Sequence, residues 1–245
     1  MSKLLRLATV TAALMLVASM ASAAGINFMW NDCALGGGVQ NKTFACTSNT
    51  GTNSLYASFI PPAGITAATG VEVVVDLLVE NTATLSGGWW AFKNTGTCRQ
   101  TALSSSADFT ANTGCTDYWQ GLAAGGVTAY IQSYSGNANR ARLLSIYATA
   151  VANATTMDSN LEYYGVKFNI SNAKTVGTGA CSGCLDKVCL VFNSIKITQP
   201  AGVGDFVVSN EATGRTATWQ NEVAGTCIPV PVKNRTWGAV KSLYR

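Results

Sequence analysis

Short runs of β-branched and aromatic residues, separated by stretches rich in Thr, Ser, Asn and Gly, favour an all-β fold for this chain. The clearest run is 71–80, in which every second residue is aliphatic and the acids fall only between them. Alternation with a period of two is typical of a strand with one buried face. The buried face is predicted to carry Val71, Val73, Val75, Leu77 and Val79.

Two more segments give clear strand patterns. Segment 162–170 alternates, whereas 188–198 is apolar on both faces in its first half, as in a covered central strand. Residues 140–151 fit a helical stripe or a strand, and we favour a strand because the neighbouring segments are β. In 162–170, the residues predicted to point inward are Tyr164, Val166, Phe168 and Ile170. The residues predicted to point outward are Tyr163, Lys167 and Asn169. Further strands are predicted at 26–30, 55–60, 89–93, 127–133, 206–209 and 216–220.

This number of strands predicts a two-sheet β-sandwich, with a jelly roll as the alternative strand arrangement. The sandwich is expected to occupy residues 24–228, followed by a Pro-containing linker and C-terminal tail at 229–245. In the tail, Trp237, Val240 and Tyr244 share one face of a short helix. Because so short a helix is marginal alone, these three residues are expected to dock on a partner or on the sandwich itself.

The beginning of the chain has the features of an export signal. Lys3 and Arg6 precede an apolar run at 7–18, and Ala-Ser-Ala at 21–23 supplies small residues for cleavage before Ala24. An uncleaved anchor is the alternative, but the apolar run is short for a membrane span. The sequence therefore predicts a signal peptide at 1–23. The mature protein is expected to be secreted, extracellular or periplasmic, without a membrane span.

An even number of cysteines in an exported chain predicts disulfides. Proximity along the chain suggests the pairs Cys33–Cys46 and Cys98–Cys115, each contributing roughly 3 kcal/mol. The C-x-x-C at 181–184 could also be a redox pair or part of a zinc site. It lacks the strand–helix setting of the first and the two-knuckle spacing of the second. Disulfides are therefore predicted for Cys33, Cys46, Cys98, Cys115, Cys181, Cys184, Cys189 and Cys227.

The charged residues exclude several functions. Histidine is absent, which excludes Ser-His-Asp and Cys-His catalysis and H-E-x-x-H zinc sites. Without residues 1–23 the chain has 14 basic and 12 acidic residues, too weak an excess for a nucleic-acid surface. Charged residues are only 11% of the chain, against roughly 25% in ordinary soluble domains, so the composition also excludes intrinsic disorder.

The acids do not form a recognisable catalytic pair. Glu72 and Asp76 share a strand face, but four residues along a strand span about 13 Å. The two carboxyl groups of a glycosidase lie roughly 5–9.5 Å apart, so a partner from another strand, such as Glu162, would be needed. No metal-ligand motif or cofactor is predicted. The loop acids that could supply a structural calcium site are Asp32, Asp108, Asp117 and Asp205.

Adjacent aromatic residues occur at 89–90, 118–119 and 163–164. Neighbours on a strand face opposite ways, so one ring of each pair is expected to point outward. A row of outward rings on a sandwich can stack on sugars, whereas the alternative is that both rings are buried. The rings assigned to this candidate carbohydrate-binding surface are Trp90, Trp119 and Tyr163.

Six segments carry a family resemblance: Trp-Asn-Asp-Cys at 30–33, Asn-Lys-Thr-Phe-Ala-Cys at 41–46, Ser-Phe-Ile-Pro-Pro at 58–62, Asp-Tyr-Trp-Gln at 117–120, the stretch 193–205 and Thr-Trp-Gly at 236–238. They resemble segments of secreted, β-rich bacterial proteins to which no activity is assigned. More loosely, the expected sandwich resembles cohesin-like and carbohydrate-binding modules. The resemblance implies an exported, β-rich bacterial protein and no catalytic residues.

Together these observations predict a secreted or cell-surface module that is stabilised by disulfides and is not an enzyme. Its expected role is structural or in binding an extracellular or surface protein. A carbohydrate-binding protein with a glycan partner is the alternative. A glycoside-active extracellular enzyme is the second alternative.

Overall fold

The computed structural model describes residues 23–80, 85 and 88–220. Residues 1–22 of the predicted signal peptide, Cys227, the linker and the tail lie outside the described residues, as do Trp237, Val240 and Tyr244. Within the described part of the chain, no helix is both long and apolar enough to cross a membrane.

The described residues form β-strands and two short 3₁₀ turns, Tyr134–Gly136 and Val151–Asn153. The strands are β1 Gly25–Trp30, β2 Asn41–Lys42, β3 Thr52–Ile60, β4 Gly70–Val79, β5 Leu103–Ser106, β6 Ala124–Gln132, β7 Arg140–Ala148, β8 Tyr163–Ser171, β9 Val188–Thr198, β10 Phe206–Val208 and β11 Thr216–Trp219.

The strands form two sheets with one hydrophobic core between them, which confirms the all-β sandwich. The smaller sheet has the order β1-β3-β8-β5. The seven-stranded sheet has the order β2-β11-β9-β4-β7-β6, and β10 pairs with β9 beyond the end of β11. Every pairing of named strands is antiparallel except that of β11 with β2.

The long strands agree with their sequence patterns. The inward set of β4 is buried, and β4 lies between β7 and β9 in the larger sheet. Residues 140–148 form strand β7, as favoured, because both edges of this segment pair with neighbouring strands. Only its end, Val151–Asn153, turns into a 3₁₀ helix.

The strand predicted at 89–93 is wrong, because this segment forms turns. The guanidinium of Arg99 donates a 2.9 Å hydrogen bond to the carbonyl of Trp89 and lies 3.4 Å from the centre of the Trp89 ring. A side chain thus occupies an acceptor that a neighbouring strand would otherwise use. The short, polar strands β2 and β5 have no alternating apolar pattern, and they were not predicted.

A β-bulge in β8 reverses the predicted faces of two tyrosines. Ala57 pairs with Val166 but Ser58 pairs with Tyr164, so Gly165 is the extra residue. A Cβ at Gly165 would lie 2.9 Å from the Ala57 carbonyl oxygen, which explains the glycine. Tyr164 therefore points outward, not inward, and Tyr163 points toward the core.

The described cysteines are disulfide-bonded, but the suggested pairs were wrong. The bonds are Cys33–Cys115, Cys46–Cys184 and Cys98–Cys181, and no described cysteine is free. They join residues 82, 138 and 83 positions apart. Proximity along the chain did not predict the pairs, because the folded sheets bring distant loops together. Cys181 and Cys184 each bond a different partner, so the C-x-x-C is neither a redox pair nor a zinc knuckle.

Two buried tyrosines make stability depend on alkaline pH. Tyr130 donates its hydroxyl to the Trp90 carbonyl at 2.6 Å, and the hydroxyl of Tyr118 has no hydrogen-bond partner among the described residues. Burial raises the pKa of both phenols well above the usual value. Above about pH 10 the unfolded chain loses protons that the folded chain keeps, so stability falls as pH rises.

We expect the Tyr130→Phe variant to lose stability less steeply in alkali. One retained proton changes the free energy of unfolding by about 1.4 kcal/mol per pH unit, so the slope above about pH 10 should be shallower by that amount. Urea denaturation at a series of pH values measures the slope. Tyr134→Phe, at a partly exposed ring, is the matched control. Equal slopes for Tyr130→Phe and the wild type would contradict this account.

Candidate interaction surface

The rings assigned to a carbohydrate-binding surface are buried, so the prediction that they point outward was wrong. Trp90, Trp119 and Tyr163 are 2%, 1% and 4% exposed. The two indole N–H groups donate to the backbone carbonyls of Gly183 and Gly165, each at 3.0 Å. The Tyr163 hydroxyl accepts a 2.9 Å bond from the amide of Asp158. Burial with satisfied polar tips is the behaviour of core aromatic residues.

Glu162 is a buried carboxylate held by uncharged donors. It accepts hydrogen bonds from Asn27 at 2.8 Å, from the Ser58 hydroxyl at 2.6 Å and from the Leu35 amide at 2.9 Å. These bonds tie β1, β3 and the loop that carries Cys33 to the start of β8. Glu72 lies on the other sheet, paired with β7 and β9, so the core separates it from Glu162. The two acids therefore do not form the pair that a glycosidase needs.

The loop acids that could hold calcium are each engaged locally. Asp32 accepts from the Tyr164 hydroxyl at 2.6 Å, and Asp205 lies 3.0 Å from Lys196. Asp108 and Asp117 accept hydrogen bonds from residues two positions further along the chain. In the described part of the chain, Cys33, Cys115 and Glu162 bring three ligand-type atoms together, but the two sulfurs form a disulfide and are not thiolates.

Loops cover the aromatic part of the outer face of the four-stranded sheet. The ring of Phe109 stacks on Tyr164 with centroids 4.5 Å apart and also contacts Tyr56. The Cys33–Cys115 disulfide joins the two loops that lie over this face. The aromatic residues on this face are therefore buried, and the face offers little apolar surface to a partner.

The outer face of the seven-stranded sheet carries exposed aliphatic residues. Leu144 of β7 pairs with Val74 of β4 on one side and with Ala129 of β6 on the other. Ile146 lies two residues after Leu144 on β7, and Ile131 lies two residues after Ala129 on β6. Ile131 and Ile146 are 44% and 42% exposed, and Val74 and Leu144 are half-buried. We call these residues the aliphatic patch: Val74, Ala129, Ile131, Leu144 and Ile146. A contiguous exposed apolar surface of this kind is typical of a protein contact site.

The charges around the aliphatic patch neutralise one another. Arg142 makes two hydrogen bonds to Asp76, at 2.6 and 2.7 Å, and this contact raises the pKa of Arg142. Lys196 lies 3.0 Å from Asp205 and 3.5 Å from Glu72, and these contacts raise the pKa of Lys196. The surface is thus apolar, its charges are paired, and its net electrostatic potential is small.

Part of the aliphatic patch could have been found from the sequence. Val74 lies among the acids on the predicted outer face of β4, where a solvent-facing strand would more often carry polar residues. The β6 contribution gave no signal, because Ala124–Gln132 is rich in glycine and alanine. Which outer face stays uncovered depends on the loops, and local periodicity does not predict their path.

No protein-family profile and no curated protein matches the chain. Among solved structures, the chain is similar to a cohesin module from Clostridium perfringens ATCC13124 family 33 glycoside hydrolase, with 8% identity, a TM-score of 0.36, and coverage of 82% of this chain and 99% of that one. It is also similar to the seventh ScaB type I cohesin from Pseudobacteroides cellulosolvens, with 8% identity, a TM-score of 0.31, and coverage of 86% and 98%.

Proposed function

We propose that the chain is a secreted, non-enzymatic interaction module that binds an extracellular or cell-surface protein through the aliphatic patch. The observation that carries the proposal is the difference between the two outer faces. On one face the disulfide-linked loops bury the aromatic residues, whereas the other face presents Ile131 and Ile146 at 44% and 42% exposure. The disulfides support a location in an oxidising compartment.

The chemistry of the patch favours a protein as the partner. Sugar recognition on a flat face uses aromatic rings, whereas the patch is made of aliphatic side chains. Nucleic acid and anionic lipid need unpaired cations, and Arg142 and Lys196 already contact acids. An uncharged, aliphatic protein surface fits this face best.

The two isoleucines are large enough to contribute measurably to the free energy of binding. Covering the exposed part of each side chain removes on the order of 75 Å² from water, which is about 2 kcal/mol at about 25 cal/mol per Å². Only part of this appears as affinity, because association also costs entropy.

The non-enzymatic role is supported by the residues available for chemistry. The chain has no histidine, and the disulfide-bonded cysteines are not nucleophiles. Glu162, the buried acid considered for a glycosidase, is occupied by backbone and side-chain donors.

We expect the double variant Ile131→Glu/Ile146→Lys, which leaves net charge unchanged, to lose its partner while staying folded. Exposed positions tolerate polar residues within about 1 kcal/mol, but charges placed at the centre of an apolar contact weaken binding by at least about tenfold. The measurement is pull-down from the culture medium and cell envelope, followed by titration calorimetry with the captured protein. Leu35→Lys, at an exposed leucine in the loop next to Cys33, is the control.

A partner qualifies only if the wild type and Leu35→Lys retain it and the double variant does not. If the double variant binds the captured protein as tightly as the wild type, the patch is not the binding surface. Saturable binding of a polysaccharide to all three proteins would favour the carbohydrate-binding alternative.

A further inference from the structure

Among the described strands, β6 forms a long sheet edge with which no described residue pairs. It has nine residues and pairs only with β7. The other edge strands β2, β5 and β10 have two, four and three residues. The outer edge of β1 is covered by segment 210–214, since the amides of Ile26 and Phe28 donate 2.8 Å hydrogen bonds to the carbonyls of Asn210 and Gly214. Short or covered edges protect a sandwich from pairing with another sheet, and β6 lacks this protection.

The sequence of β6 has few of the features that guard an open edge. It is Ala-Gly-Gly-Val-Thr-Ala-Tyr-Ile-Gln, without a charged residue or a proline. Among the described residues, no backbone hydrogen bond reaches its outer side. The register with β7 shifts between Val127 and Ala129, so Thr128 is the extra residue of a β-bulge. The bulge bends the strand, but it leaves the outer amides and carbonyls available.

We propose that β6 pairs with the β6 strand of a second copy of this chain. The two strands run antiparallel about a two-fold axis that passes between Val127 and Thr128, and the two seven-stranded sheets become one continuous sheet. Main-chain hydrogen bonds of this kind are a common way to add a strand to an open edge. The proposal does not depend on the function proposed above.

Large and small residues of β6 are complementary in this register. Ile131 lies opposite the second copy's Ala124, and Tyr130 lies opposite its Gly125. Ala124 and Ile131 face outward, whereas Gly125 and Tyr130 lie in the rows of β7 residues that face the core. Opposed residues of an antiparallel pair must share a face, and the extra residue Thr128 brings both pairs into this phase.

Charge and area support a second copy as the occupant. Like charges opposite one another destabilise a strand pair, and two β6 strands bring no charges together. Arg142, which pairs with Ile131, already contacts Asp76 at 2.6 Å. An edge of nine residues is roughly 30 Å long and 10 Å deep, so the dimer covers on the order of 600 Å² in total. Interfaces of this size belong to weak, reversible complexes, so we expect a dissociation constant above about 1 μM.

The dimer enlarges the aliphatic patch. Because the two-fold axis is perpendicular to the joined sheet, the outer faces of both copies point to the same side. Ala129 and Ile131 of both copies lie beside the axis, and the two patches form one surface. A partner with two binding sites would gain avidity from this arrangement.

Sedimentation velocity of the purified, oxidised protein tests the dimer. Between about 1 and 500 μM, the range of a weak complex, the weight-average sedimentation coefficient should rise from that of a monomer toward that of a dimer. A coefficient that stays at the monomer value over this range would overturn the proposal. The experiment uses the chain alone, so its failure would leave the binding of another protein to the aliphatic patch unaffected.

Two matched double variants test the pairing of the strands. Ala124→Lys/Ile131→Lys places lysines opposite each other twice in the dimer, whereas Ala124→Lys/Ile131→Glu places opposite charges at the same positions. The second variant should therefore dimerise at least about tenfold more tightly than the first. Both positions are exposed, so both variants should keep the thermal unfolding transition of the folded chain. Equal dissociation constants for the two variants would overturn this pairing, even with a dimeric wild type.

Discussion

Reduction of the disulfides is expected to unfold the domain at room temperature. The three described bonds close loops of 82, 138 and 83 residues. By the chain-entropy estimate each contributes about 4–5 kcal/mol, and domains of this size have a total stability of about 5–15 kcal/mol. Losing all of them at once therefore removes most or all of the stability.

Near-ultraviolet circular dichroism and tryptophan fluorescence measure this loss. Trp30, Trp89, Trp90, Trp119 and Trp219 are all buried, so their signals report unfolding directly. The chain treated with a reductant and then alkylated is compared with an oxidised sample handled in the same way without reductant. A reduced chain that keeps its near-ultraviolet spectrum and its cooperative transition would contradict the prediction.

Replacement of Arg99 by methionine is expected to cost about 3–5 kcal/mol of stability. The guanidinium is buried and donates to the carbonyls of Ala173 at 3.0 Å, Trp89 at 2.9 Å, and Ser171. It also stacks on the Trp89 ring, 3.4 Å from its centre. Methionine fills much of the volume but leaves three carbonyl groups without these donors, which accounts for the large effect.

Burial lowers the pKa of Arg99, because low-dielectric surroundings disfavour the charged guanidinium. The hydrogen bonds to the three carbonyls and the contact with the Trp89 ring stabilise the charged form in the folded protein.

Urea denaturation at neutral pH, followed by tryptophan fluorescence, measures the effect of Arg99→Met. Arg99→Lys is expected to lose stability too, because an ammonium group lacks the planar fork that reaches several carbonyls. Arg215→Met is the control, because this arginine is only partly buried and its guanidinium makes a single 3.3 Å hydrogen bond to the Ser209 carbonyl; the variant should stay within about 0.5 kcal/mol of the wild type. If Arg99→Met were as stable as that control, the contacts of Arg99 with Trp89, Ala173 and Ser171 would not stabilise the fold.

The long strands could be predicted from the sequence because their information is local. The alternating residues of β4 and the apolar run of β9 depend only on the period of an extended chain. The faces of Tyr163 and Tyr164 could not be predicted, because one extra residue at Gly165 reverses the alternation. A glycine in a strand pattern is a signal for such a bulge.

The disulfides and the aromatic pairs depend on long-range packing. Cys33 bonds a cysteine 82 residues away, and no feature near Cys33 indicates that partner. The turn at Trp89 and Trp90 depends on contacts with Arg99 and Gly183. These residues are brought together only by the folded sandwich, so a local β-propensity was misleading there.

The candidate surface was only partly predictable for the same reason. Alternation identifies Val74 as outward on β4, but whether that side meets solvent depends on the path of distant loops. The sequence indicated exposed aromatic rings, and the structure instead exposes isoleucines on β6 and β7. A binding surface on a sandwich is therefore defined by which face the loops leave open.

Side-chain footprinting of the module in complex with its captured partner tests the central claim most directly. On binding, carbene labelling of Ile131, Ile146, Val74 and Leu144 should fall severalfold, while labelling of the exposed residue Leu35 should not change. Protection of the loop that carries Phe109, with full labelling of the two isoleucines, would place the contact on the other sheet and contradict the account.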